Sequence, residues 1–253
     1  MKIAVLMTCH NRKETTLRCL RGLPSDVDVY LVDDGSTDGT DEAVKIAFPK
    51  VNVIRGSGNL YWAKGMELAW KTCLQREVEK VGGGGQWKYD GFLWLNDDVE
   101  LATDALGKLT TAFQLEAPTI FVGELVNSEG EVIYGKRGDL FTGNFVFVPR
   151  VAYEKLGLIC GDYAHAWADS DYAMRAKRAG VKVVSCGIVG KCEGHPNRPS
   201  LKGLSIVERL RLLTDPKGWN VHDLWLYRKR NWGVCAAIAS CTHLILHVMK
   251  GER

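Results

Sequence analysis

The chain has 253 residues, of which 46% are hydrophobic, 25% charged and 9% aromatic. These fractions are average for soluble globular proteins, so the composition excludes a disordered chain, a collagen and a coiled-coil rod. The formal net charge of +3, from 33 basic and 30 acidic residues, is too small to indicate a nucleic-acid partner, and we expect none.

The first hundred residues alternate short apolar runs with segments of helical period. The runs predict four buried strands, at residues 3–7, 27–32, 51–54 and 92–95. Between them, apolar residues recur at helical spacing, for example from Trp62 to Cys73. Strand–helix–strand units of this length need crossover connections, so they predict parallel strands with helices on both faces of the sheet.

The second hundred residues are less regular. They predict a helix at 105–113 and another at 169–179, which Asp169 or Ser170 caps and Gly180 ends. Further strands are predicted at 120–122, 144–148 and 181–184. The predicted fold class is therefore α/β, a mostly parallel mixed sheet with helices on both faces and a helical tail after it.

The tail begins after Pro199, where the pattern becomes helical. Three apolar-periodic segments are predicted helices, at 206–213, 224–230 and 234–249. Residues 202–253 carry nine basic and four acidic side chains, whereas the rest of the chain is mildly acidic. We therefore divide the chain into a domain of residues 1–200 and a basic, amphipathic helical tail of residues 201–253.

Three surfaces are candidates for contact with the tail: a membrane, the chain's own domain and a second subunit. The last apolar stretch of the tail is shorter than the ~20 residues that a membrane-spanning helix needs. It can lie on an anionic membrane surface, with residues 228–230 and Lys250 facing the headgroups. It can equally pack back on its own domain, or against a second subunit in a homodimer. The sequence leaves these alternatives open.

The eight cysteines include no C-x-x-C pair, and most of them lie inside apolar runs. This pattern argues against a zinc ribbon and against the disulfide framework of a small secreted protein. The apolar stretch at the N-terminus is too short for a secretory signal. We therefore expect a cytoplasmic protein, located either in the cytosol or on the inner face of the membrane.

Polar residues follow each of the four strands predicted in the first half, at 8–12, 33–38, 56–59 and 96–98. In open parallel sheets, ligands bind beyond the carboxyl ends of the strands. One such segment alone is a turn. Four together predict a polar ligand with hydroxyl groups and a diphosphate.

The sharpest of these segments is Asn96-Asp97-Asp98, which follows a buried strand. Adjacent carboxylates repel each other unless a cation or hydrogen-bond donors satisfy them. Mg²⁺ or Mn²⁺ bound by one or two carboxylates plus substrate phosphates is one solution. The alternative is that these acids only cap the helix that begins near Thr103.

The sequence does not match two other kinds of site, a dinucleotide-binding site and the active site of an aspartate-nucleophile phosphatase. The glycine fingerprint of dinucleotide-binding folds belongs after the first strand, where residues 8–11 contain no glycine. An aspartate-nucleophile phosphatase needs two acids one residue apart, so that both face the same side of a strand end. Asp33 and Asp34 are adjacent, so we expect their side chains to point to opposite sides.

Asp169, near the start of the predicted helix 169–179, is a candidate general base if it faces the cleft. The alternative is a structural helix start, in which Asp169 is an N-cap and Asp171 pairs with Arg175 four residues later. His195 either ligates a metal or lies in a loop.

Four segments together resemble the motifs of family 2 glycosyltransferases, which have the GT-A fold. In chain order they are residues 9–12, 32–38, 95–98 and 169–172. The resemblance covers about residues 1–200. The stretch from Gly143 to Ala176 is similar to bacterial rhamnosyltransferase-like members of that family.

The resemblance implies inverting transfer of a sugar from a nucleoside-diphosphate sugar donor to an acceptor hydroxyl. The acceptor would be a saccharide or a lipid-linked saccharide in bacterial surface polysaccharide synthesis. Residues 1–100 would form the nucleotide-binding half of the domain, and residues 101–200 the acceptor half. By this likeness, the residues of the nucleotide pocket would be Thr8, Asn11, Asp33, Asp34, Asn59, Lys64 and Asp97.

The same resemblance assigns the chemistry. Asp98 would coordinate Mn²⁺ or Mg²⁺, and His195 is the candidate for a late histidine that completes the metal site. The metal would neutralise charge on the departing diphosphate. Asp169 would be the base that deprotonates the acceptor hydroxyl.

Two other functions remain as alternatives. A sugar nucleotidyltransferase uses the same class of ligand, but it needs a glycine-rich loop with an arginine after the first strand. A non-catalytic protein of this fold could instead act as a membrane or partner-binding scaffold through residues 202–253.

Overall fold

The computed structural model of the chain describes residues 1–81, 88–112, 118–194 and 198–251. The apolar runs of the first half form four parallel strands in the spatial order β3-β2-β1-β4. They are β1 (Ile3–Cys9), β2 (Asp28–Asp33), β3 (Asn52–Arg55) and β4 (Gly91–Leu95). Because the strands are parallel, their carboxyl ends lie at one edge of the sheet, and the predicted polar segments meet there.

Three helices connect these strands: α1 (Lys13–Arg21), α2 (Thr40–Ala47) and α3 (Tyr61–Val81). Side chains alternate across β1, so Val5 faces α1 and α2 while Leu6 faces α3. The core on the α3 side is rich in aromatic residues, and its centre is the fully buried Trp70. Both faces of the sheet are therefore covered, as the sequence predicts.

The second half of the domain extends the sheet with strands of both directions. Its elements are β5 (Glu100–Leu101), α4 (Ala105–Ala112), β6 (Thr119–Val126), β7 (Val132–Tyr134), β8 (Lys136–Arg137), β9 (Leu140–Phe141), β10 (Phe145–Pro149), α5 (Arg150–Leu156), α6 (Ala168–Arg178) and β11 (Lys182–Lys191). Strand β10 is antiparallel to both β4 and β6, and β11 is parallel to β6. Within the described residues this gives one mixed sheet of nine strands and a separate β8–β9 hairpin.

Helix α6 begins differently from the prediction. Its N-cap is Trp167, which has a left-handed backbone (φ 72°) and makes no side-chain capping bond. Asp169 therefore lies inside the first turn of the helix, so neither it nor Ser170 is the cap. The predicted pair of Asp171 and Arg175 is present, with 3.4 Å between Oδ2 and Nε.

The tail forms three helices, α7 (Ile206–Leu212), α8 (Val221–Trp232) and α9 (Val234–Lys250). They enclose a small core of their own that includes Leu224 and Leu244. The tail also packs against the domain: Tyr227 of α8 stacks on Trp167, with ring centroids 4.7 Å apart. Within the described ranges, no helix combines the length and apolar character that a bilayer crossing requires.

A buried carboxylate attaches α8 to the loop before α6. Asp223 is fully buried and accepts hydrogen bonds from the backbone N–H groups of Ala164 and His165, each at 3.1 Å. At the other end of α8, Arg230 pairs with Asp162 at 2.6 Å. This arginine belongs to the segment 228–230, for which contact with membrane headgroups was one of three alternatives, and in this structure it contacts the domain.

An ion pair inside the domain joins α3 to the start of α5. Arg150 Nη2 lies 2.6 Å from Glu77 Oε2, and the glutamate is almost fully buried. Glu77 also accepts the backbone N–H groups of Lys88 and Tyr89, at 2.7 and 3.0 Å. Its carboxylate therefore holds the segment that leads into β4.

We expect Glu77→Ala to lower the free energy of unfolding by about 3–5 kcal/mol, because it removes the carboxylate that pairs with the buried Arg150 and accepts two backbone N–H groups. Lys71→Ala in the same helix is the control, since the pair that Lys71 forms with Glu67 is solvent-accessible and its loss should cost under about 1 kcal/mol. Urea unfolding measures both. Equal effects of the two substitutions would contradict the structural role of Glu77.

Candidate active site

A cavity of about 460 Å³ opens at the edge where the four parallel strands end. Its walls come from the loops after β1, β2, β3 and β4 and from two segments near the tail. The lining residues are Thr8, Cys9, His10, Arg12, Asp34, Gly58, Tyr61, Trp62, Asn96, Asp97, His165, Asp215 and Lys217. The cavity therefore contains carboxylates, cations and two aromatic rings.

The first turn of α3 lies directly against the end of β1. A Cβ atom on Gly65 would lie 2.5 Å from Thr8 Oγ1, so only glycine permits this approach. It keeps the threonine hydroxyl at the floor of the cavity. Lys64 precedes this glycine, and its side chain is exposed on the helix surface.

The loops after β1 and β2 are joined by a chain of hydrogen bonds. Asn11 Oδ1 accepts the backbone N–H of Thr37 at 2.7 Å, which turns its NH₂ group toward His10 Nε2 at 3.1 Å. Because Nε2 must then accept, His10 Nδ1 carries the proton and donates it to the Asp34 carbonyl at 2.7 Å. Asn11 itself has a left-handed backbone, with φ of 51°. This chain fixes the cavity rim.

Asp34 uses its carboxylate to hold the loop after β3. Oδ1 accepts the N–H of Gly58 at 2.7 Å, and Oδ2 accepts those of Leu60 and Tyr61 at 2.8 and 3.0 Å. Asp34 therefore shapes the wall of the cavity as well as lining it. The neighbouring Asn59 is exposed on this loop.

Asp33 points away from Asp34, as the sequence predicts for adjacent acids. Its Oδ1 accepts the backbone N–H of Ser36 at 2.8 Å. Its side chain lines a separate cavity of about 250 Å³, which also includes Arg55. The two aspartates thus line two different cavities at the same edge of the sheet.

Arg12 bridges the paired acids at the end of β4. Its Nη1 lies 3.2 Å from Asp97 Oδ1, and its Nη2 lies 3.0 Å from Asp98 Oδ2. Thr16 Oγ1 also donates to Asp97 Oδ2 at 3.2 Å. Burial raises the pKa of Asp97 to about 7, although the Arg12 charge opposes this rise. The cation that the two carboxylates share in this structure is therefore a guanidinium.

Asp98 faces a different space from Asp97. It lines a cavity of about 330 Å³ on the other side of Arg12, which borders both cavities. Among the residues with described positions, no group of three or more His, Cys, Asp or Glu side chains forms a metal cluster. His195, the other predicted metal ligand, lies outside the described residues.

Asp169 lies next to the cavity wall. Its Oδ2 accepts the backbone N–H of Gly143 at 3.0 Å. The Trp62 ring packs so closely on Gly143 that a Cβ atom there would overlap it, and Trp62 Nε1 donates to Asn96 Oδ1 at 2.8 Å. Burial raises the pKa of Asp169 above its ordinary value, although hydrogen bonds to its carboxylate partly offset this. A carboxyl group with a raised pKa is a stronger base.

The structure brings Thr8, Asp34 and Asp97 together in one cavity and keeps Asp33 and Asp98 in adjacent ones. Several lining residues were not predicted. His165, Asp215 and Lys217 come from the loop before α6 and from the tail, and the sequence assigned none of them to the site. Trp62 was assigned only to a helix core.

His165 gives the site a pH-dependent stability. Burial lowers the pKa of its imidazole, and the charge of Lys217 lowers it further. Its Nδ1 is buried without a hydrogen-bond partner among the described residues. The folded state therefore prefers the neutral ring, whereas the unfolded chain takes up a proton below a pH of about 6.5.

We expect the free energy of unfolding to fall as the pH decreases from about 7 to about 5, by at most about 1.4 kcal/mol per pH unit from this group. His165→Gln should flatten the decrease. Urea unfolding of both proteins across this range measures the difference. Parallel curves for the two would show that His165 takes up its proton equally in both states.

The fold and part of the sequence match known proteins. A family model described as glycosyl transferase family 2 matches residues 4–171. No curated protein matches the chain significantly. The structure is similar to that of S. aureus TarS, with 12% identity and a TM-score of 0.59, covering 99% of this chain and 90% of that one.

Two further solved structures share the fold. One is the mannosyltransferase PcManGT from Pyrobaculum calidifontis, with 16% identity, a TM-score of 0.55, and coverage of 100% of this chain and 76% of that one. The other is GalNAc-T7, with 14% identity, a TM-score of 0.56, and coverage of 98% and 55%. Since the family model covers most of the chain, this protein is a glycosyltransferase that belongs to glycosyl transferase family 2 and has the GT-A fold.

Proposed function

We propose that the protein transfers a sugar from a nucleoside-diphosphate donor to an acceptor hydroxyl, with inversion at the anomeric carbon. One observation carries the proposal: the Asp169 carboxylate is held by Gly143 beside the wall of the strand-end cavity. The cavity offers room and polar groups for the donor, and Asp169 offers a base next to it.

The solved structures of similar fold support this class of donor. One TarS structure, 12% identical with a TM-score of 0.58, contains UDP-GlcNAc. The PcManGT structure contains GDP-Man and Mn²⁺, and the GalNAc-T7 structure contains UDP, GalNAc and Mn²⁺. We take from them the nucleoside-diphosphate sugar as ligand class, and leave the sugar and the base open.

We assign donor binding to the residues at the strand ends. Thr8 and Asp97 would contact the nucleotide directly, since both line the main cavity. Asp34 lines the same cavity, and the other assigned positions are Asn11, Asp33, Asn59 and Lys64. Among these residues, Asn11 and Asp34 act mainly through the hydrogen bonds that fix the loops after β1 and β3.

The transfer itself needs one base and one leaving group. Asp169 accepts the proton of the acceptor hydroxyl, and the oxygen attacks the anomeric carbon of the donor. The bond from that carbon to the diphosphate oxygen breaks, and the nucleoside diphosphate leaves with the electron pair. Attack opposite to the leaving group inverts the configuration. A single carboxylate is sufficient, because no covalent sugar–enzyme intermediate forms.

We propose a divalent cation at the donor phosphates, because Mg²⁺ or Mn²⁺ is commonly held by one or two carboxylates together with substrate phosphates. In this structure Arg12 contacts both Asp97 and Asp98, and Asp98 lines the cavity next to the one that Asp97 lines. An ion held by both acids would therefore replace the Arg12 contact. Asp98 would hold the ion, with His195 proposed as a further ligand; when bound, it would neutralise charge on the departing diphosphate. Titration calorimetry of UDP and GDP with Mn²⁺ and with EDTA tests this. If UDP and GDP bound with the same affinity in Mn²⁺ and in EDTA, nucleotide binding would not depend on a metal and this part of the proposal would be wrong.

We also propose that the acceptor is a saccharide or lipid-linked saccharide of a bacterial surface polysaccharide, handled at the inner face of the membrane. Exposed apolar side chains on the tail support the membrane surface, among them Ile206 and Val207 of α7 and Ile238 and Leu246 of α9. A homodimer through the same apolar side chains is the competing proposal. Sedimentation with and without vesicles distinguishes them.

The Asp169→Asn variant tests the catalytic assignment. We expect it to lower the transfer rate by about 10²–10⁴-fold, because the amide cannot accept the proton. Nucleotide binding, measured as the thermal shift with UDP, GDP and dTDP, should remain. Asp139→Asn is the control, since Asp139 is exposed and pairs with the exposed Lys177. Full turnover in Asp169→Asn would contradict the assignment.

A further inference from the structure

A second large cavity, of about 520 Å³, lies between the loop before α6 and the tail helices. We call it the tail cavity. Its lining residues are Trp167, Arg198, Trp219, Leu224, Arg228, Ala239, Ser240, His243, Leu244 and His247. None of the proposed donor or catalytic residues is among them.

The polar lining of the tail cavity is basic. It contains two guanidinium groups, two imidazoles and a hydroxyl, and none of its described lining residues is an aspartate or a glutamate. Neither Arg198 nor Arg228 has an ion-pair partner among the residues whose positions are described. Arg228 Nε is in addition buried and has no hydrogen-bond acceptor within that part of the chain.

Arg198 is held by aromatic rings instead of by a carboxylate. Its guanidinium carbon lies 4.7 Å from the ring centroid of Trp219 and 5.7 Å from that of Trp167. Trp219 is itself fixed, because its Nε1 donates to the carbonyl of Pro199 at 3.1 Å. Burial lowers the pKa of Arg198. Ring faces compensate only part of the lost hydration of a cation, so an anion would complete this site.

The same two chain segments line the tail cavity and the strand-end cavity, which we call the donor cavity because we assign the donor to it. In the loop before α6, His165 lines the donor cavity and Trp167 lines the tail cavity. In the segment between α7 and α8, Lys217 lines the donor cavity and Trp219 lines the tail cavity. Asp169 follows Trp167 by two residues. The segment that lines the tail cavity with Trp167 therefore also carries the proposed base, in the first turn of α6.

We propose that the tail cavity binds a phosphate or diphosphate group of the acceptor, which makes the acceptor a phosphorylated saccharide. The inference rests on the proposed function for the identity of the acceptor. Arg198 and Arg228 bind the phosphate oxygens, since a guanidinium presents paired donors that match phosphate geometry. Anchoring the charged group there positions a saccharide hydroxyl for Asp169.

The remaining lining fits an acceptor that carries an apolar chain. Leu224, Ala239 and Leu244 form an apolar part of the wall beside the basic groups. On the same helix as Ala239, the side chain of Ile238 is 53% exposed. An apolar chain attached to the phosphate would continue along this surface.

The test uses the tryptophan fluorescence of the whole chain, titrated with glucose 1-phosphate, inorganic diphosphate and uncharged glucose. We expect saturable binding of the two phosphates and none of glucose. Arg198→Gln and Arg228→Gln should each weaken phosphate binding at least about tenfold. Arg211→Gln is the matched control, because this exposed tail arginine is absent from the cavity lining, and it should bind as the wild type does.

The experiment needs no donor, so it is independent of whether sugar transfer occurs. Unchanged phosphate affinity in both cavity variants would overturn the proposal. The same variants are tested on phosphatidylcholine vesicles with and without phosphatidylglycerol. If Arg198→Gln abolished vesicle binding and left glucose 1-phosphate binding intact, the cavity would serve a lipid headgroup and the acceptor assignment would be wrong. Loss of glucose 1-phosphate binding in Arg198→Gln would support the assignment of the cavity to the acceptor phosphate.

Discussion

The site depends on how Arg12 satisfies two adjacent carboxylates at the end of a buried strand. Asp97 and Asp98 would repel each other there, and Asp97 is only 4% exposed. The Arg12 guanidinium contacts both of them, at 3.2 and 3.0 Å. Because Arg12 follows β1 and the acids follow β4, this contact fixes the ends of two central strands relative to each other. The strand-end cavity opens directly beside this contact, so the same contact determines both the charge balance and the shape of this part of the cavity.

The rest of the edge is built by the same means, with polar side chains that satisfy backbone groups of neighbouring loops. Asp34 holds the loop after β3 through three N–H groups, and Asn11 joins the loops after β1 and β2. These bonds join the loops to one another, and loops that are already fixed leave less ordering for a ligand to accomplish on binding. The tail adds the last wall: Asp223 ties α8 to the loop that carries His165 and Trp167. The tail therefore belongs to the site, whichever surface its outer face contacts.

Much of this arrangement follows from the sequence. Apolar runs and helical periods predicted the parallel half of the sheet, and the position of polar segments after strands predicted the edge at which the cavity opens. The partners of individual side chains were not predictable, because Arg12 and Asp98, or Asp34 and Tyr61, are distant in sequence and meet only in the folded chain. Strands of two or three residues, such as β5 and β8, are too short to show periodicity. The left-handed cap at Trp167 has no sequence signal, since aromatic residues rarely adopt that conformation.

The most direct measurement of the central claim is a crystal structure of the protein soaked with Mn²⁺ and a nucleoside diphosphate. We expect the nucleotide in the cavity between Thr8 and Trp62, with its diphosphate beside Arg12 and Asp97. Asp169 should lie on the open side, toward the acceptor. A nucleotide bound elsewhere on the molecule, or a cavity that stays empty at saturating nucleotide, would contradict the account.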